Sequence, residues 1–224
     1  WPQLPKNPKE GMIRQFLTGF PGLIDGDNRH LIDTTADDFT EGMAAFYEEF
    51  INVESEALLP EHTRFGLTPD TSAGFFTFLE HLSRGLPAML TVKGQITGPI
   101  TTGIGTRDQD GNSILYDDNL RDMLVKLLAL KARWQVEQLK NFTDRVPPII
   151  FIDEPGLVSF GSSGFAAVSR EMVLETVGEV IEAIKGAGGL SGLHICANGD
   201  WGPALASESD IISFDAYFYF DNFI

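Results

Sequence analysis

Pro147-Pro148-Ile149-Ile150-Phe151-Ile152-Asp153-Glu154-Pro155 is the stretch on which the fold turns. Neither leading proline can donate to a helical ladder, so any preceding helix ends here. The four apolar residues that follow suit a strand and are too few for a helix. Their lack of alternation is the pattern of a parallel-sheet strand buried on both faces. Asp153 and Glu154 then set carboxylates at the end of that strand, where strand packing does not call for them.

Toward the N-terminus, residues 118–141 place Leu120, Leu124, Leu127, Leu128 and Trp134 on one helical stripe. Before this helix, Met89-Leu90-Thr91-Val92 leads into Lys93-Gly94-Gln95-Ile96-Thr97-Gly98-Pro99, a strand and its following loop, closed by Gly-Pro. An earlier helix runs from Thr71 or Ser72 to Arg84, with Phe75, Phe78, Leu79 and Leu82 inward and Gly85 as its stop. From Asp37, the spacing of Met43, Tyr47, Phe50 and Ile51 predicts another helix, with those four facing the core. The segment to about Thr35 is rich in Pro, Gly and Asp and reads as extended chain and a hairpin. Toward the C-terminus, Val173, Val177, Val180, Ile181 and Ile184 mark a helix stopped by residues 186–189. Leu193-His194-Ile195-Cys196 and Ile211-Ile212-Ser213-Phe214 follow as short strands.

Strands alternating with helices imply parallel βαβ units, hence an α/β fold. A dinucleotide-binding glycine fingerprint and a phosphate-binding P-loop are both missing, which favours a (β/α)8 TIM-like barrel over an open doubly wound sheet. About four strands are clear where such a barrel has eight, and typical barrels run to ~250 residues. With Trp1 rather than Met in first place, the expectation is one barrel domain over 1–224, incomplete at both ends.

The chain has 224 residues, with 16 Lys plus Arg against 32 Asp plus Glu, giving a formal net charge of −16. Such a charge repels nucleic acid and anionic membrane surfaces. Cys196 is the single cysteine, so no intramolecular disulfide can form and a reducing compartment is suitable. Without an apolar run near ~20 residues or a signal segment, the expectation is a cytoplasmic protein.

His194 and Cys196 stand two apart at the C-terminal end of a strand, so both side chains leave the same face at what would be the barrel mouth. Imidazole and thiolate suit Zn²⁺; the alternative is a buried thiol beside a core histidine. Asp215 follows the next strand and can supply an oxygen ligand or cap a helix. Asp153 and Glu154 can hold a substrate ammonium or act as a base, against plain turn chemistry before a proline. Gly98-Pro99 can bring backbone close to a ligand or simply turn the chain. Lys93, Gln95, Asn198 and Trp201 are further candidates near strand ends, whereas His30, His62 and His81 read as structural or exposed.

Five blocks together resemble one family. They are Trp1-Pro2-Gln3-Leu4-Pro5, the run from Lys93 to Thr101, Ile152-Asp153-Glu154-Pro155, His194-Ile195-Cys196 with Asn198 to Trp201, and the run from Asp210 to Asp215. They resemble the catalytic barrel of cobalamin-independent methionine synthase, and more closely its short single-barrel relatives, often labelled uroporphyrinogen-decarboxylase-like. The resemblance implies zinc on His194 and Cys196, with Asp215 where the family has a glutamate ligand, one methylene longer. It implies that Asp153 binds the amino group of a homocysteine-like thiol, and it puts Glu154 beside it as a catalytic carboxylate, with Gly98 and Asn198 in the substrate site. A Gly-Ser strand would precede Trp1 and a further cysteine ligand would follow Ile224. No segment matches the family's folate-binding stretch, so the implied methyl donor is methyltetrahydrofolate or a corrinoid, the latter on a partner protein.

The activity expected is therefore zinc-dependent methyl transfer to a thiol. One rival is a uroporphyrinogen-type decarboxylase, which needs arginines to grip several carboxylates and no zinc. The other is a non-catalytic barrel that binds a corrinoid protein. The barrel alone permits all three.

Overall fold

The computed structural model describes residues 1–4, 6–26, 30–85, 89–143, 145–162, 165 and 167–223; Pro5 of the N-terminal block lies outside them. The chain opens with a short helix α1 (Arg14–Leu17), which the Pro- and Gly-rich sequence did not show, and with the expected hairpin of β1 (Leu23–Asp25) and β2 (His30–Ile32). Helices α2 (Phe39–Glu54) and α3 (Ala73–Ser83) follow, and Gly85 ends the second with φ +81°, a conformation that suits glycine. Next come β3 (Lys93–Thr97), α4 (Pro99–Gly105) and β4 (Arg107–Asp108), then the long α5 (Asp118–Leu139). The remainder alternates strictly: β5 (Ile149–Asp153), α6 (Arg170–Gly186), β6 (Leu190–Ile195), α7 (Trp201–Ala206), β7 (Ile211–Phe214) and α8 (Ala216–Phe223).

The main sheet has four parallel strands in the order β3-β5-β6-β7, so each new strand is laid beside the last without a reversal. A second small sheet joins β1, β2 and β4. The molecule is thus an α/β fold built on parallel pairing.

The two faces of the main sheet differ. Gly94, Ile96, Ile150, Ile152, Leu193 and Ile195 point one way and are buried. Helix α5 lies on this side: a Cβ added to Gly94 would meet the side chains of Gln135 and Leu139. Lys93, Gln95, Ile149, Phe151, Asp153, Leu190, His194, Ile211 and Ser213 share the opposite face and are half-buried or, for Lys93, exposed. This corrects one expectation. The strand at 149–152 is fully buried on one face, through Ile150 and Ile152, and half-buried on the other, through Ile149 and Phe151.

Helix α5 is the core element. Leu120, Leu124, Leu127, Leu128 and Trp134 are buried as its periodicity predicted, and the helix packs along α6, whose Val173, Val177, Val180, Ile181 and Ile184 are also buried. Trp134 meets Phe75 of α3 with ring centroids 5.3 Å apart. On α2 the deepest side chains are Phe46 and Val53, and Ile51 is 61% exposed. Met43, Tyr47 and Phe50 of the predicted stripe pack half-buried against the core, and Ile51 faces outward. No helix among the described residues is long and apolar enough to cross a membrane.

Candidate functional site

Parallel register assembles the site. Thr97 pairs with Asp153, Asp153 with His194, and His194 with Ser213, so one rung across all four strands carries polar side chains on one face, with Thr97 buried and the other three half-buried. The rungs nearer the strand starts hold Gln95, Phe151, Gly192 and Ile211, then Lys93, Ile149 and Leu190. Polarity is therefore concentrated at the C-terminal end of the sheet, where parallel α/β folds bind ligands.

Each member of the rung has identifiable neighbours. Thr97 donates its hydroxyl to the Met12 carbonyl at 2.6 Å, which ties the N-terminal segment over β3. His194 Nδ1 lies 3.1 Å from Ser213 Oγ. Burial pushes the Asp153 carboxyl above its ordinary range, and the nearby charges of His194 and Lys93 partly oppose this. The Lys93 ammonium sits 4.5 Å from the centroid of the Phe151 ring, on the same face. A half-buried carboxyl at the C-terminal end of the sheet can accept from an ammonium-bearing ligand or take up a proton.

Glu154 sits elsewhere. It is fully buried and accepts from the Ile100 and Thr101 amides at 2.9 and 2.8 Å and from the Thr101 hydroxyl at 2.5 Å. Both of its carboxylate oxygens are thus committed to the N-terminus of α4, where the helix dipole favours an anion. Burial still raises it to about 7, with the three donors opposing. Gly98 belongs to the same arrangement: a Cβ there would collide with the Glu154 carboxylate, and its amide donates to the Asp153 carbonyl at 2.9 Å. The group that comes close to the Gly98 backbone is the Glu154 side chain, not a ligand.

Cys196 stands one residue past the end of β6, not within it, and is exposed, as thiol chemistry requires. Asp215 follows β7 and its Oδ1 accepts from the Tyr217 and Phe218 amides at 3.0 and 3.4 Å, so of its two sequence readings this oxygen makes the helix cap. Asn198 is exposed in the loop after β6; Trp201 is buried at the start of α7, against Phe214 and Phe223. The backbone of Gln95 is bound at both N–H and C=O by the Gln135 side chain. His30 lies in the hairpin, and His62 and His81 are exposed.

The zinc implied by the resemblance can be weighed against these donors. His194 and Cys196 have suitable chemistry, but among the described residues no group of three His, Cys, Asp or Glu side chains could hold an ion. Catalytic zinc takes three protein ligands, so the described residues supply a partial set.

No family model, curated protein or solved structure matches this chain. Sequence reading missed Ser213 and Thr97 as members of the site. Each was visible as a polar residue in an apolar run, but only cross-strand register lines them up with Asp153 and His194.

Proposed function

We propose that the four-stranded sheet is one wall of a (β/α)8-type barrel and that its polar rung binds an amino-acid thiol for methyl transfer to sulfur. The observation that carries this reading is the alignment of Asp153, His194 and Ser213 on one rung, with Cys196 just beyond it. Unreversed parallel strand order, with α5 packed against one face, supports the barrel. In this reading Asp153 receives the substrate ammonium and fixes the distance from its α-carbon to the mouth. Lys93 and Phe151 line the floor, and the half-covered face limits water around the sulfur. His194 and Cys196 would hold zinc, with a further ligand from outside the described residues. Bound there, the metal would supply the positive charge that favours thiolate near neutral pH. The sulfur, having lost its proton to water, forms the new S–C bond as the donor's bond to the methyl breaks, and the electron pair stays with the donor. A folate or a corrinoid can fill that role, the corrinoid on a partner protein.

Five arginines engaged elsewhere lend support to this reading over the decarboxylase alternative. Arg14, Arg64, Arg84, Arg121 and Arg133 are paired with Asp25, Glu49, Glu80, Asp118, and Glu54 with Glu137, respectively, and none of these partners belongs to the polar rung. The test is calorimetric titration with homocysteine. Asp153→Asn should weaken binding about tenfold or more, with the circular-dichroism spectrum unchanged. Equal affinity in the variant would remove the ammonium role.

A further inference from the structure

We infer that Ser213 is the positioning residue of His194: its hydroxyl engages Nδ1 and leaves Nε2 as the ring nitrogen offered to a ligand at the mouth. The inference rests on the proposed use of His194 as a ligand-binding group. Ser213 lies directly across from His194 in the parallel register, and its Oγ is 3.1 Å from Nδ1. Its same-face neighbour on β7 is Ile211, so the face does not otherwise call for a hydroxyl there. The two ring nitrogens of a neutral imidazole are inequivalent, and the partner of one decides which carries the lone pair. A serine oxygen can accept from Nδ1–H, which puts the lone pair on Nε2, and partners of this kind orient ligating histidines. Asp153, on the other side of His194, defines the competing arrangement. If its carboxylate accepted a hydrogen bond from Nε2–H, Nδ1 would carry the lone pair, the serine would donate to it and the ring would be poised as a base toward Ser213. Among the described residues, the hydrogen-bond partner of the ring is Ser213.

The experiment is nitrogen-15 NMR of the whole chain at alkaline pH, where an ordinary imidazole is neutral, with His194 assigned by its loss in His194→Gln. Wild type should show the Nδ1–H tautomer in excess. Ser213→Ala should shift the population toward the mixture of free imidazole, and Ser213→Thr, which keeps the hydroxyl, should restore it. If Ser213→Ala does not fold, the wild-type and Ser213→Thr spectra still decide. An Nε2–H tautomer in wild type would overturn the inference, as would a spectrum unmoved in a folded Ser213→Ala. Zinc titration of the same proteins reads the proposed function separately. If zinc binds, Ser213→Ala should lose affinity about tenfold and Ser213→Thr should regain it. If zinc does not bind while the tautomers behave as stated, the positioning role stands and the methyl-transfer reading fails.

Discussion

At the residue scale, Gly98 and Glu154 behave as one unit. The glycine leaves space that the carboxylate fills, and the carboxylate satisfies three donors at the start of α4. Gly98→Ala should therefore destabilise by about 2–3 kcal/mol through overpacking, and Glu154→Ala by about 3 kcal/mol through unsatisfied buried donors. Because the alanine methyl at 98 would enter the space Glu154 vacates, the double variant should recover at least about 1 kcal/mol relative to the sum. A urea-unfolding double-mutant cycle measures this, and simple additivity would show that the collision is relieved elsewhere. Glu154 also has a pH signature. Its carboxyl is raised from 4.5 to about 7, so the folded chain holds this proton more tightly than the unfolded chain, and the associated stability is lost as pH rises through that window.

Helix α5 provides the clearest prediction at the scale of an element. Lys131 is buried within it and donates to the Arg64 and Gly66 carbonyls at 3.0 and 3.1 Å, pinning the loop between α2 and α3. Arg64 ties the same stretch of the loop to α2, through a 2.6 Å ion pair of its guanidinium with Glu49. Burial lowers the Lys131 ammonium from 10.5 to about 7. Between these values the unfolded chain binds the proton and the folded chain increasingly does not, so stability rises with pH. Relative to Lys131→Met, wild type should gain about 3 kcal/mol of unfolding free energy from pH 7 to 9.5. Parallel curves for the two proteins in urea denaturation would show that Lys131 titrates normally. What was legible here follows from length. The 22 residues of α5 repeat their apolar stripe often enough to be read, and so do the 17 residues of α6. Helices α1, α4, α7 and α8 have 4, 7, 6 and 8 residues, too few turns to show a period. In α4 the Gly98-Pro99 pair read as a breaker, although proline at the first helical position starts a helix as readily as it ends a strand.

Across the whole molecule, parallel pairing was legible because the strand–helix alternation from β5 to β7 leaves little else for the chain to do. The site was legible residue by residue and not as a constellation. Asp153, His194 and Cys196 stood out where a strand ends, yet Ser213 joined them only through register, a property of four strands at once. Glu154 carried the same sequence signal as Asp153 and went to the other side of the sheet, since side chains alternate along a strand. The central claim is that the mouth of this sheet holds a metal for thiol chemistry, and elemental analysis with zinc titration tests it most directly. Wild type, supplemented with zinc and dialysed, should retain one ion per chain, and affinity should fall at acid pH because both ligands bind deprotonated. Cys196→Ser and His194→Gln should lose the ion while remaining folded. Zinc absent from wild type after supplementation, or retained in full by Cys196→Ser, would contradict the account.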